Sequence, residues 1–488
     1  MTSTMKQEDP KGNVSPETAS ETVRWWAAQL LAEVDRRVGA GADFAERERA
    51  LHAIANDAIQ CAQQQELQAI ADRFVTDEVV VNGVRYRHHD EGTVDYHGLS
   101  GTVTVHRSIY RQVGVHNGPT IVPVELVAGL IERSTPALAE ALLADYANKT
   151  SREVVRSMKA YLRRSPSRKA IEGFVKRAGK RLRQRLDGIE PVLRARERLP
   201  EGTRSSSTGL DRTTIPMHEL LELDPDAPPP KKSKRTKDYE RTPPEPFEVK
   251  WRMAYVGTVS FIDADGRELR TVRYAVPAEE GPTRVVDAMM RDLVHARRQV
   301  PELPVALVQD GAPEMWNLME AALAAHGIEP EHKLNDRYHL DDHLGKVLRA
   351  MGYTPAWREK KLSEWNAQLD EDDGAIDEIE SFVRDARWSY GGKACETLIE
   401  ELTYLENNKH RMRYASARRA GLVCGSGATE GACKSVVKVR MCRSGQAWKP
   451  EGAANALTLR ALFLSDRLPG AIELLRHDHY GAEVRIAA

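Results

Sequence analysis

The sequence has few cysteines and no long apolar run. Its 488 residues include five cysteines, a small and odd number that argues against a disulfide framework and fits a reducing cytoplasm. No run of about 18 apolar residues is present, so we expect no membrane span. Residues 1–20 lack the apolar core of a signal peptide and are expected to form a disordered tail. These features predict a soluble, cytoplasmic protein.

An excess of charge of one sign is also absent. The 71 basic and 72 acidic residues leave a net charge of −1, so the overall balance does not identify a polyanionic partner. Any basic surface must come from local segregation of charge. The length exceeds what one core supports, and about three domains are expected.

Hydrophobic periodicity divides the first half of the chain into helical and sheet regions. Residues 21–75 have helical spacing, 76–120 alternate as a small antiparallel sheet, and 121–200 are helical again. Within 121–200, two helices flank a Ser-Pro-Ser break at 165–167, a pattern that resembles a helix-turn-helix. The alternative is a helical bundle with a solvated basic face. The basic residues predicted to contact DNA on the second helix are Arg168, Lys169, Lys176 and Arg177.

The second half of the sequence alternates strands and helices. Three antiparallel strands come first, and helices alternating with parallel strands follow, which is the order of a ribonuclease H-like fold. We therefore expect an α/β catalytic domain of that fold with an all-helical insertion, preceded by the helical and small antiparallel β regions. The regions are the first part of the core at 203–340 with a flexible loop at 224–246, the insertion at 341–420, the last part of the core at 421–468, and a C-terminal tail at 469–488.

Three carboxylates occupy positions that suit a metal site. Asp211 lies inside the first strand, and Asp310 ends an apolar strand just before Gly311. Glu430 lies near the start of a helix downstream of the insertion. Ligands of open α/β sheets collect at the carboxyl ends of the parallel strands, and three converging carboxylates suit two divalent ions. The alternative is that each acid is an ordinary surface or capping residue.

The stretch Cys424–Trp448 surrounds Glu430 with cations. A carboxylate among cations suits a site that holds a divalent metal while it grips a polyanion, and this combination points to phosphodiester cleavage or strand transfer. The residues predicted to neutralise phosphates are Lys434, Lys438, Arg440 and Arg443.

The spacing of cysteine and histidine does not predict zinc. No cysteine lies between Cys61 and Cys395, and the histidines of the N-terminal sheet region lack regular ligand spacing. The segment His339–His343 has Leu340 where a zinc protease helix needs its glutamate. We expect no zinc site.

Four blocks of the sequence resemble the catalytic half of bacterial insertion-sequence transposases of the ISKra type, which are related to the Mutator-like superfamily. The blocks are Gly209–Met217, Val308–Asn317, Asn335–Leu344 and Asn407–Leu462. The resemblance implies a ribonuclease H-like core with an Asp-Asp-Glu triad of Asp211, Asp310 and Glu430, holding two Mg²⁺ or Mn²⁺ ions. It departs from the family at Arg212, where a glycine is usual.

The resemblance also implies an activity and partners. It implies that the enzyme cleaves the ends of its element and joins them to target DNA, with terminal inverted repeats and target DNA as partners. A homo-oligomer is expected in the synaptic complex, associated with the nucleoid. In Asp336-Arg-Tyr-His339, the histidine is expected to contact the scissile phosphate, or else to be a structural residue. Two alternatives are an inactive or domesticated DNA-binding derivative and a ribonuclease H-like nuclease that cleaves without joining.

Overall fold

Two compact units make up the computed structural model, which describes residues 20–220, 247–310, 312–480 and 483–487. The expected flexible loop at 224–246, and all but the last residue of the expected N-terminal tail, lie outside these ranges. One unit contains Met1–Leu142, Thr150–Val175 and Arg476–Ala488, and the other contains Leu143–Lys149 and Lys176–Leu475. None of the helices in the described part of the chain has both the length and the apolar character needed to cross a bilayer.

The regular elements of the described ranges are as follows. The strands are β1 (Glu78–Val81), β2 (Val84–Gly98), β3 (Gly101–Gln112), β4 (Thr120–Ile121), β5 (Ser205–Leu220), β6 (Phe247–Ile262), β7 (Glu268–Pro277), β8 (Val305–Gln309), β9 (His332–Asn335) and β10 (Val484–Ile486). The helices are α1 (Glu21–Val38), α2 (Phe44–Asp72), α3 (Pro123–Val127), α4 (Pro136–Asn148), α5 (Ser151–Ala160), α6 (Arg168–Arg196), α7 (Pro282–Gln299), α8 (Pro313–Ala325), α9 (Arg337–Ala350), α10 (Pro355–Glu371), α11 (Ala375–Ala386), α12 (Gly392–Asn408), α13 (Tyr414–Arg419), α14 (Gly427–Ala432), α15 (Val439–Met441), α16 (Pro450–Leu464) and α17 (Leu468–Tyr480).

The first unit contains a five-stranded antiparallel sheet of order β10-β1-β2-β3-β4. Helix α2, which starts with a capping box between Asp43 and Glu46, packs Leu67 against Tyr96 and Val103 of this sheet. Four strands of this sheet lie between Glu78 and Ile121, and the fifth is β10 near the C-terminal end of the described ranges.

The C-terminal segment is not the tail that we expected at 469–488. Helix α17 begins at Leu468, and β10 pairs antiparallel with β1, with Val79 opposite Ile486. A strand of three residues is too short to show an alternating pattern, so its place in the sheet could not be read from the sequence.

Helices α5 and α6 are the two predicted to form a helix-turn-helix. Helix α5 starts with a capping box between Thr150 and Glu153. Helix α6 is amphipathic, and it buries Ile171 and Phe174 on one face. It extends for 29 residues, and the boundary between the two units falls within it at 175/176, so the region predicted at 121–200 does not coincide with one unit. The basic residues predicted to contact DNA lie on its exposed face: Arg168, Lys169, Lys176 and Arg177.

The second unit is a mixed α/β structure around a sheet of order β7-β6-β5-β8-β9. Strands β5, β6 and β7 are antiparallel, whereas β8 and β9 run parallel to β5. All five residues of β8 are buried, as expected for a parallel strand covered on both faces. The succession of these strands along the chain and their directions agree with those predicted from the sequence, whereas the sequence did not predict their order in the sheet.

Helices cover both faces of this sheet. Leu210 of β5 packs with Met289 and Trp316 in the layer of α7 and α8. Ile215 packs with Val436 in the opposite layer. Because successive strand residues point to opposite faces, Asp211 lies on the same face as Ile215. Helices α9 to α13 pack in one core with Ala306 and Val308 of β8 and Leu334 of β9.

Candidate active site

Strand register places three aspartates level with one another, one within β5 and two directly after β8 and β9. Strand β5 pairs with β8 at Thr208↔Leu307, so three residues further on Asp211 is level with Asp310. Strand β8 pairs with β9 at Gln309↔Asn335, so one residue further along each chain Asp310 is level with Asp336. Neighbouring strands are about 4.8 Å apart. The sheet thus brings both predicted aspartates, and a third one, to the carboxyl ends of β8 and β9.

Asp211 lies in a partly buried environment. Its Oδ1 accepts a hydrogen bond of 2.6 Å from the backbone N–H of Arg212, and its Oδ2 accepts one of 3.2 Å from the Cys433 thiol. Burial raises the pKa of Asp211 above its usual value, and the charge of Asp310 adds to this. The two donors and His339 act in the opposite direction. Burial also raises the pKa of the Cys433 thiol, so the thiol is protonated and can donate.

The unusual Arg212 does not disturb Asp211. The Arg212 guanidinium forms an ion pair of 2.6 Å with Glu314 in the first turn of α8. Alternation along β5 points the two neighbouring side chains to opposite faces. The Arg212 side chain therefore lies on the α8 side of the sheet, and the Asp211 carboxylate lies on the opposite side.

Asp310 is held at the junction of β8 and α8. Its Oδ1 accepts from the backbone N–H of Ala312 at 3.1 Å. Its carbonyl oxygen accepts from the Trp316 indole at 2.6 Å. Trp316 is fully buried, so the backbone at Asp310 is tied to the core of the unit.

A close contact between α14 and β5 places Glu430. A Cβ on Gly209 would lie 2.5 Å from the Val308 carbonyl oxygen and 2.7 Å from the Thr429 Oγ1. Both distances are shorter than real Cβ contacts, so only glycine allows Thr429 to approach so closely. The Thr429 hydroxyl also forms a 2.6 Å hydrogen bond with the Thr258 hydroxyl of β6. Glu430, the next residue, is therefore fixed near the level of Asp211.

Glu430 is partly exposed and pairs with Lys434 at 2.6 Å. Directly after α14 the backbone continues as a π-helical turn, Cys433–Lys438, a feature that is frequent at functional sites. An exposed i,i+4 ion pair contributes only about 0.2–0.5 kcal/mol. Lys434 can therefore release Glu430 to another cation at little cost.

Asp336 is fully buried and connects the end of β9 to the segment before α14. It caps α9 by accepting from the Tyr338 N–H at 2.7 Å, and it also accepts from the Ser426 N–H at 3.2 Å and from the Ser426 hydroxyl. Burial raises the pKa of Asp336, and the nearby charge of Glu430 raises it further. The sequence suggested a role only for His339 of this motif; the strand register would have been needed to identify Asp336.

His339 lies in the first turn of α9 and is exposed. Its charge acts on the carboxyls of both Asp211 and Asp336. This position leaves the imidazole exposed to solvent.

The three carboxylates are ligands of the type that hard divalent cations prefer. Asp211, Asp310 and Glu430 supply only carboxylate oxygens, which Mg²⁺ and Mn²⁺ prefer. Within the described ranges, however, no three His, Cys, Asp or Glu side chains are arranged closely enough to hold a metal ion. Asp211 and Glu430 each accept from a protein donor instead. Glu430 would have to leave Lys434 to reach the ions, whereas Asp211 can keep its contact with Cys433 on one oxygen.

The structure separates the four cations predicted to bind phosphate. Lys434 and Lys438 are exposed. Arg440 is buried, with its guanidinium 4.8 Å from the ring centres of both Tyr146 and Trp448, so its predicted contact with DNA is wrong. It is buried because stacking on two aromatic rings and donation to the Tyr146 carbonyl stabilise the guanidinium away from water. Arg443 donates to the Asn148 carbonyl at 2.8 Å.

No protein-family model matches the sequence, and no curated protein matches it. Among solved structures, the Mos1 transposase paired-end complex with left transposon end has 13% sequence identity and a TM-score of 0.15, covering 59% of this chain and 79% of that chain. The Mos1 mariner paired end complex with Mn has 14% identity and a TM-score of 0.16, covering 59% and 78%. The Mos1 strand transfer complex has 12% identity and a TM-score of 0.15, covering 56% and 76%. Likeness at this level does not define a fold.

Proposed function

We propose that the chain is a DNA transposase of an insertion sequence, of the ISKra type, and that its second unit is a ribonuclease H-like catalytic domain. The observation that carries this proposal is the common level of Asp211 and Asp310 on adjacent parallel strands, with α14 brought against β5 at Gly209. These positions support a site for the three carboxylates near the carboxyl end of β8.

In this proposal Asp211, Asp310 and Glu430 hold two divalent ions, Mg²⁺ or Mn²⁺. Such ions stabilise the attacking and leaving oxygens of an in-line displacement. The protein orients the acids through the thiol on Asp211 and the backbone N–H on Asp310. His339 is exposed beside them and contacts the scissile phosphate.

The positive charge around the site grips the DNA backbone. Lys434, once released from Glu430, and Lys438 project from the helix that carries the acid. Each phosphate contact releases counterions, so binding weakens as salt rises. We further propose that the exposed basic face of α6 contributes to recognition of the terminal inverted repeats. Synapsis of two ends requires at least a dimer, and such a protein acts on DNA in the cytoplasm.

The test combines labelled element ends, a target plasmid and Mg²⁺ or Mn²⁺. Wild type is expected to nick the ends and join them, whereas Asp310→Asn and Glu430→Gln lose both steps because each removes a ligand charge. A matched control is Glu378→Gln, since Glu378 is also an exposed glutamate in the first turn of a helix. Undiminished joining by Asp310→Asn and Glu430→Gln would refute the triad. Nicking without joining would identify a nuclease, and DNA binding without nicking would identify an inactive derivative.

A further inference from the structure

The thiol of Cys433 contacts the candidate metal ligand Asp211. Its Sγ lies 3.2 Å from Oδ2 of Asp211, across a sequence separation of 222 residues. Cys433 is 6% exposed and packs in the layer that contains Ile215 and Val436. The contact therefore joins the middle of β5 to the helical segment that carries Glu430.

The helical backbone explains why the Cys433 thiol and the Glu430 carboxylate lie on one face of the helical segment. Cys433 follows Glu430 by three residues, and residues three apart lie on the same face of a helix. It is also the first residue of the π-helical turn. With Thr429 seated against Gly209, this face of the helix is directed at β5.

Cys442 provides a natural comparison. It lies nine residues further along the chain, and its Sγ contacts the Thr214 carbonyl oxygen of the same strand at 3.4 Å. Both cysteines thus join this segment to β5. Only Cys433 reaches a carboxylate that belongs to the candidate site.

We propose that Cys433 is a positioning residue that orients the Asp211 carboxylate for divalent metal ions. The thiol donates to Oδ2 of Asp211 and fixes the rotation of the carboxyl group. The other lone pairs of the two carboxylate oxygens then keep one direction, toward the metal ions. This inference depends on the proposed function, because it takes Asp211 to be a metal ligand. Partners of this kind, once removed, typically cost 10- to 100-fold in metal affinity.

The test measures Mn²⁺ binding to the full-length protein by electron paramagnetic resonance, without DNA. Cys433→Ala is expected to raise the Mn²⁺ dissociation constant about tenfold or more, because the carboxylate loses its partner. Cys433→Ser keeps a hydroxyl donor and is expected to bind Mn²⁺ within about threefold of wild type. Cys442→Ala should bind as wild type does. Thermal unfolding of each metal-free variant shows whether the fold is intact.

The outcomes separate this inference from the proposed function. If wild type binds no Mn²⁺, or if Asp310→Asn binds it as wild type does, the proposed metal site is refuted. If Asp310→Asn loses binding while folded Cys433→Ala keeps wild-type affinity, only the role of Cys433 is refuted. Equal losses in Cys433→Ser and Cys433→Ala would also refute it, since donation by the side chain would then be irrelevant.

Discussion

Replacing Gly209 with alanine tests the contact that places Glu430. The new Cβ would be 2.7 Å from the Thr429 Oγ1, which is 0.7 Å less than the 3.4 Å at which ordinary contact begins. On the other side the Val308 carbonyl, only 2.5 Å away, belongs to the neighbouring strand. Because one clash is with strand backbone at Val308 and the other is with Thr429 of α14, both β5 and α14 must shift.

Two consequences follow for Gly209→Ala. Overpacking of this size costs about 1–3 kcal/mol of unfolding free energy, partly offset by the about 0.4–1 kcal/mol that alanine gains from a less flexible unfolded chain. A shift of α14 by most of an ångström displaces Glu430 relative to Asp211. Misplacement of a catalytic group by about 1 Å costs on the order of 100-fold in rate, so nicking should fall by about tenfold to 100-fold.

The assay pairs thermal unfolding with Mg²⁺-dependent nicking at a temperature where the variant is folded. The control is Gly431→Ala in the same helix, where a Cβ would meet no atom within 4 Å; this variant should be as stable as wild type or slightly more so. If Gly209→Ala keeps wild-type stability and nicking, the close approach of α14 to β5 is refuted. If nicking by Gly209→Ala falls only in proportion to the fraction of unfolded protein, the displacement of Glu430 is refuted.

Three further predictions concern charged residues. The raised pKa of Asp211 means that its ionised form destabilises the metal-free fold. Asp211→Asn should therefore unfold at a higher temperature than wild type at pH 7.5, with the difference lost as the pH falls to about 4, and a less stable variant at pH 7.5 would contradict this. Lys434→Ala and Lys438→Ala should each reduce the slope of log affinity for DNA against log salt by about 1. Arg440→Ala should instead cost about 2 kcal/mol or more of stability with an unchanged slope, because its guanidinium stacks on two rings; a reduced slope in a folded Arg440→Ala would contradict this.

Strands and acids of the second unit were predictable from local patterns. The alternation of β5 to β7 and the apolar run of β8 give the elements, and chain order gives their succession. Asp211 is unusual in an alternating strand, and Asp310 follows an apolar one, so both could be picked out as candidates. Glu430 could be picked out as an acid near the start of a helix among cations, and the resemblance of the Asn407–Leu462 block supported it.

Other features depended on contacts between distant residues. Arg440 looks like its neighbour Lys438 in the sequence, but it is buried against Tyr146, almost 300 residues away. Gly209 is an ordinary strand residue until Thr429 is placed against it. The C-terminal strand β10 could not be predicted, because three residues are too few to show the alternation of apolar and polar residues. Only its pairing with β1 defines it as a strand.

The sequence by itself therefore determined which elements form and which acids stand at their ends, because these properties depend on neighbours within a few residues. The tertiary structure alone decided that Asp336 is level with the two other aspartates, that Cys433 contacts Asp211, and that Arg440 is buried. The physical reason is that register, burial and close approach are set by packing between segments about 100 to 300 residues apart in the chain, which the period of a single segment does not record.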